Sequence, residues 1–73
     1  MDKLSDDLIV GAGPIAEFVF GDRKLRRRIY YLAETRQLPL FNIGNAIAGR
    51  RSTLRRHIEE RERAGLERIK RSA

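Results

Sequence analysis

Asp22-Arg23-Lys24-Leu25-Arg26-Arg27-Arg28-Ile29-Tyr30-Tyr31-Leu32-Ala33, followed by Leu38-Pro39-Leu40-Phe41-Asn42-Ile43-Gly44-Asn45-Ala46-Ile47-Ala48-Gly49-Arg50, is the stretch whose reading decides the fold. Its first half is helical. Asp22 has the carboxylate of an N-cap, able to accept a backbone N–H left unpaired in the first turn, and the helix it opens is expected over about residues 23–36. Leu25, Ile29 and Leu32, with Ala33, recur at the spacing of one buried stripe, which leaves Lys24, Arg27, Arg28 and Tyr31 facing elsewhere. Tyr30 is expected at the core and Tyr31 at the core edge or the surface. From Leu38 the period changes. Two short apolar runs around Gly44-Asn45 predict a β-hairpin, with Pro39 fitting only at a strand start or edge.

Upstream, Gly13-Pro14 reads as a helix start, because proline at the first helical position loses no needed hydrogen bond. A helix from about Pro14 to Phe20 follows, with Ile15, Phe18 and Val19 on one face and Gly21-Asp22 ending it. Residues 1–12 mix acids, a short apolar patch and glycines, and are taken as a partly ordered lead-in. Downstream, Ser52 is expected to cap a further helix that points Leu54 and Ile58 inward. Arg55, Arg56, Glu59 and Glu60 are solvated there, and the helix is expected to end near Ala64-Gly65. Leu66 and Ile69 return out of phase, so residues 65–73 are taken as a basic tail. The domain itself is then 13–64.

The chain has 73 residues and no cysteine. A chain of this size buries only roughly 60% of the surface its unfolded form exposes, and without disulfides or thiolate metal sites it stands on apolar packing. No apolar run approaches the ~18 residues of a membrane helix, and the first residues lack the basic region of a signal peptide. A soluble cytoplasmic, nucleoid-associated protein that avoids membranes is expected. No paired-carboxylate, nucleophile–base or metal-ligand spacing is present, so neither catalysis nor a cofactor is expected. His57, the single histidine, has no second ligand type to complete a site and is read as exposed or helix-packing. Gly11-Ala12-Gly13 lacks the other residues of a phosphate-binding loop.

Sixteen basic residues against ten acidic give a net charge of +6, unevenly spread. Residues 1–22 carry a net −4 and residues 23–73 a net +10. Such a field draws polyanions, and the preponderance of arginine, which forks bidentately onto phosphate or guanine, favours nucleic acid. Residues 23–33 contain no acid to offset Arg23, Lys24, Arg26, Arg27 and Arg28. In the next helix Arg56/Glu60 and Glu59/Arg63 lie at i, i+4, so that face is read as structural. Arg50, Arg51 and Arg55, near the return of the hairpin, are within reach of phosphate. RNA is disfavoured, since single-strand readers want exposed aromatics and this chain has few.

The order helix, tight turn, cationic helix, hairpin, helix is that of a winged helix-turn-helix: mainly α with a small two-stranded wing. Over residues 13–62 the chain resembles the excisionase-like and MerR-like DNA-binding domains. The resemblance rests on Ile15-Ala16-Glu17-Phe18, Ile29-Tyr30-Tyr31-Leu32, Leu38-Pro39, Phe41-Asn42-Ile43-Gly44 and Arg50-Arg51-Ser52-Thr53-Leu54. Two departures stand out. The link Phe20-Gly21-Asp22-Arg23-Lys24 is longer than the family's turn, and the wing tip lacks basic residues, leaving Asn45 as its one polar side chain. The resemblance implies a sequence-specific reader of double-stranded DNA, a transcriptional regulator or an excisionase-like factor in DNA recombination. It implies copies acting as a homodimer or side by side, with a recombinase or another protein as further partner. The residues expected on DNA are Arg23, Lys24, Arg26, Arg27, Arg28, Tyr31, Asn45, Arg50, Arg51 and Arg55, with Arg27 and Arg28 reading bases. The alternative is a phage or mobile-element assembly or adaptor protein whose basic face docks an acidic protein.

Overall fold

The computed structural model describes residues 3–72, with side chains as far as Arg68. The chain runs through α1 (Leu4–Asp7), β1 (Leu8–Val10), α2 (Ala12–Phe20), a single 3-10 turn (Arg23–Leu25), α3 (Arg26–Glu34), β2 (Phe41–Ile43), β3 (Ala46–Arg50) and α4 (Arg51–Ser72). It is mainly helical with a small antiparallel sheet in the order β1-β3-β2.

The residues expected to be a lead-in belong to the fold, apart from Met1 and Asp2, which lie outside the described residues. β1 pairs with β3 in the register Leu8↔Arg50, Ile9↔Gly49, Val10↔Ala48, and Gly11 N–H donates to the Ile47 carbonyl at 2.7 Å. Ile9 is buried with Ile15, Ala16, Ile29, Ile47 and Leu54, so the third strand closes the core. A three-residue strand is too short for periodicity to mark, and its partner lies some forty residues on.

α2 starts two residues before Pro14, at Ala12, because Gly11 takes φ +103° and its carbonyl accepts from Ile15 N–H at 3.1 Å. Gly21, at φ +75°, ends it in the left-handed conformation that favours glycine. Asp22 does cap, accepting from Lys24 N–H at 2.9 Å, but what it caps is the 3-10 turn. The second helix is therefore shorter than expected at both ends, Arg26–Glu34 instead of 23–36. Its C-terminus closes with Arg36 at φ +56°, Arg36 N–H bonded to Ala33 O and Gln37 N–H to Leu32 O. These are the paired bonds of a Schellman motif, with an arginine where glycine is usual.

β2 and β3 form the expected hairpin, in the register Phe41↔Ala48, Asn42↔Ile47, Ile43↔Ala46. Gly44, at φ +61°, supplies the positive φ that a tight hairpin turn of the II′ kind needs at its first central position. Leu38-Pro39-Leu40 precedes the strand instead of opening it. Gly49 faces inward, where a Cβ would sit 2.7 Å from a Leu40 methyl and 3.4 Å from one of Leu54.

α4 differs most from expectation. It does not stop at Ala64-Gly65 but continues to Ser72, so most of the expected tail is helical, with Ala73 outside the described residues. One internal glycine costs roughly 1 kcal/mol relative to alanine, too little to break a helix whose other residues are mostly good formers. Nor does Ser52 cap it. Ser52 lies inside the first turn, and the cap comes from Asp7. The Asp7 carboxylate accepts from Ser52 N–H at 2.8 Å, from the Ser52 hydroxyl at 2.6 Å and from Arg50 Nε at 2.9 Å. Asp7 is the one buried charged residue among those described. The Ser52 hydroxyl, the Ser52 amide and Arg50 hold its carboxyl below the usual carboxylate value, against the opposing effect of burial.

Candidate nucleic-acid interface

α3 touches the body through one face. Ile29 is fully buried, Leu25 and Ala33 pack against the core, and Leu32 is half-buried. At 100° per residue, Arg27, Tyr31 and Glu34 lie within about 40° of the direction opposite Ile29, so they form the outermost ridge of the helix. Tyr30 lies on the hairpin-side flank. With 54% of its surface exposed it is not a core residue, contrary to expectation, and Tyr31 is 58% exposed. Tyr30 and Glu34 border a notch shared with Phe41, Asn42 and Asn45, which places Asn45 beside α3.

The expected cations separate into two groups. Arg28, on the flank opposite Tyr30, sets its guanidinium 5.7 Å from the centre of the Phe20 ring, within cation–π range. Arg23 turns back to Glu17, 3.4 Å away in an exposed ion pair, and lies against Gly13. Arg50 belongs to the Asp7 cap. Arg51 donates to the Asp6 carbonyl at 2.6 Å and more distantly to that of Leu8, with Phe18 6.0 Å away. These two arginines, the last of β3 and the first of α4, thus tie the start of α4 to the N-terminal residues. Lys24, Arg26, Arg27 and Arg55 have no side-chain hydrogen bond or ion pair among the described residues. Lys24 and Arg26 sit together with Arg23 at the entry to α3, while Arg55 stands apart on α4 beside Asp6, Asp7 and Ser52.

Glu34 and Tyr30 were not anticipated as part of this surface. Glu34 was legible as the i+7 neighbour of Arg27, once Ile29 is taken as the centre of the buried face. His57 packs as a helix histidine: its Nε2 donates to the Gln37 carbonyl at 2.8 Å, tying the segment after α3 to α4. Among the described residues no group of histidine, cysteine or carboxylate side chains is placed to hold a metal ion, and no helix is long and apolar enough to cross a membrane. No protein-family model, curated protein or solved structure matches the chain.

Proposed function

We propose that this chain is a winged helix-turn-helix module that binds double-stranded DNA, with α2 and α3 as the helix pair and the β2-β3 hairpin as the wing. The observation that carries the reading is the exposed ridge of α3. Arg27, Tyr31 and Glu34 project from a helix whose opposite face is anchored by Ile29, and Lys24 and Arg26 stand uncompensated at its entry. An α-helix fits the major groove of B-DNA, where arginine reads guanine, glutamate accepts from the cytosine amino group and tyrosine contacts phosphate or base. In this arrangement Arg27 is the principal base reader. Arg28, held over Phe20, is a flank residue that positions the backbone. Lys24 and Arg26 serve phosphate, as Arg55 does where the duplex reaches α4.

A single module of this size offers a small footprint, so two copies side by side, or a protein partner such as a recombinase, would complete an ordinary operator-strength complex. From α2 to α4 the order helix, helix, hairpin, helix supports the excisionase-like and MerR-like reading, whose output is transcriptional control or recombination. The rival reading, an adaptor docking an acidic protein through the same cations, differs in one respect. A DNA reader prefers its site over random duplex by at least ~10³-fold, whereas an adaptor has no need to. Selection from a pool of random duplexes at about 150 mM salt, where non-specific binding is weak, tests this. An enriched motif, lost on Arg27→Ala, is the expected result. Failure to enrich any motif overturns the reading in favour of the adaptor.

A further inference from the structure

The notch between α3 and the hairpin combines aromatic walls, an apolar floor and polar groups that the rest of the fold does not use. Tyr30 forms its α3 side and Phe41 its hairpin side, and both are about half exposed. β2 is an edge strand with β3 as its single neighbour, so Phe41 and Asn42, which alternate across the sheet, both reach the notch from the free edge. Ala33, Leu40 and Ile47 make the floor. The side chains of Glu34, Asn42 and Asn45 at the rim have no hydrogen bond or ion pair among the described residues. The space is about 300 Å³, the size of the smallest small-molecule sites.

A flat heterocycle edged with hydrogen-bonding groups matches walls, floor and rim together, and base–aromatic stacking accepts any base because each presents a π-face. Charge narrows the choice further. Arg26 and Arg27 lie one turn before Tyr30 on α3, about 5–6 Å away between Cβ atoms, and have no side-chain partner, so a phosphate would find a cation beside the notch. Within the notch Glu34 turns phosphate and acidic peptides away, while the two arginines oppose an organic cation that the aromatic pair would otherwise attract. A base carried on a phosphodiester chain satisfies both conditions. A base inside a duplex is stacked on both faces, so only an unpaired one can enter. We infer that the notch holds one unpaired nucleobase of a DNA strand, stacked against Tyr30 and Phe41, with Glu34 accepting from an exocyclic amino group and Asn42 and Asn45 completing the edge. Cytosine and adenine carry such a group and thymine does not. The inference adds an activity to the duplex reading proposed above and does not depend on it.

Fluorescence anisotropy of end-labelled octamers of deoxycytidine and of thymidine, titrated with the full chain at about 150 mM salt to suppress binding by charge alone, tests the inference. The deoxycytidine octamer should bind at least about threefold more tightly, and Glu34→Ala should bring the ratio close to one. Tyr30→Ala and Phe41→Ala should each weaken its binding at least about fivefold, the low end of what base–aromatic stacking contributes. Tyr31→Ala, equally exposed but on the ridge and not lining the notch, should change it by less than about twofold. A second measurement leaves the notch intact. The chain has two tyrosines and no tryptophan, so in Tyr31→Phe the intrinsic emission is that of Tyr30 alone. The unlabelled deoxycytidine octamer should quench it, and a fully paired duplex should quench it far less. Equal losses from Tyr30→Ala and Tyr31→Ala, no preference for deoxycytidine or one that survives Glu34→Ala, or equal quenching by the paired duplex would each overturn the inference. Failure of the duplex selection to enrich a motif, with quenching by the octamer intact, would strike the duplex reading and leave this one standing.

Discussion

Replacing Ile29 by alanine removes three carbons from the fully buried point at which α3 meets the core. At about 0.8 kcal/mol per buried methylene the transfer loss is about 2.4 kcal/mol, and the residual cavity brings the expected cost to roughly 3–4 kcal/mol. A 73-residue domain is expected to have about 4–11 kcal/mol of stability in total, so this one change removes a large share. At ~4–8 °C per kcal/mol for a domain of this size, Tm falls by more than about 12 °C. The neighbouring Tyr30→Ala is the matched control. More than half of Tyr30 faces solvent, so its truncation should cost under about 1 kcal/mol and shift Tm by only a few degrees. Thermal melts followed by far-UV circular dichroism, with urea titrations alongside, compare the two. A loss for Tyr30→Ala equal to or greater than that for Ile29→Ala would refute the orientation of α3 and, with it, the placement of the Arg27 ridge.

Two further outcomes follow from backbone and cap geometry. Arg36 occupies a left-handed position suited to glycine, so Arg36→Gly should stabilise the domain by up to about 1 kcal/mol, visible as a raised urea midpoint at unchanged slope; a lowered midpoint would contradict the Schellman assignment. The depressed pKa of Asp7 means that its contribution to stability is complete above the ordinary carboxylate value of 3.8 and is lost as pH falls through its folded value. Asp7→Asn should therefore melt well below the native chain at pH 7, with the gap narrowing in melts below about pH 3.5. A gap that stays constant with pH would exclude the carboxylate as the group that anchors α4.

What could be read from the sequence was what local chemistry determines. The buried spacing of Ile15 and Ile29, the Gly21-Asp22 break and the Gly44-Asn45 turn each depend on residues a few positions apart, and each is present. The contribution of residues 4–10 was hidden, because Asp7 meets Ser52 and Ile9 meets Gly49 across some forty residues. The same non-local contacts reassign the arginines. Arg50 and Arg51 are ordinary cations in the sequence, yet in the fold they serve the N-terminal residues, and Arg23 turns to Glu17. The length of α4 was missed because the lapse of the apolar stripe, with Leu66 and Ile69 out of phase, was taken as the end of the helix, whereas a helix can continue past the point where its buried stripe ends, and Gly65 costs too little to stop it. Tyr30 was assigned to the core for lying beside an apolar stripe, and a position 100° round from Ile29 was enough to expose it.

The central claim, that α3 and not bulk charge engages DNA, is tested most directly by measuring duplex affinity as a function of salt for Arg27→Ala and for Arg63→Ala on α4, which remove the same charge. On a duplex recovered by selection, Arg27→Ala should weaken binding about tenfold or more, as expected for loss of a contact worth ~1–3 kcal/mol. Arg63→Ala should leave affinity within about twofold, a change no larger than a remote surface charge makes under salt screening. Equal losses from the two substitutions would contradict the claim, because the chain would then be binding DNA as an undirected cation.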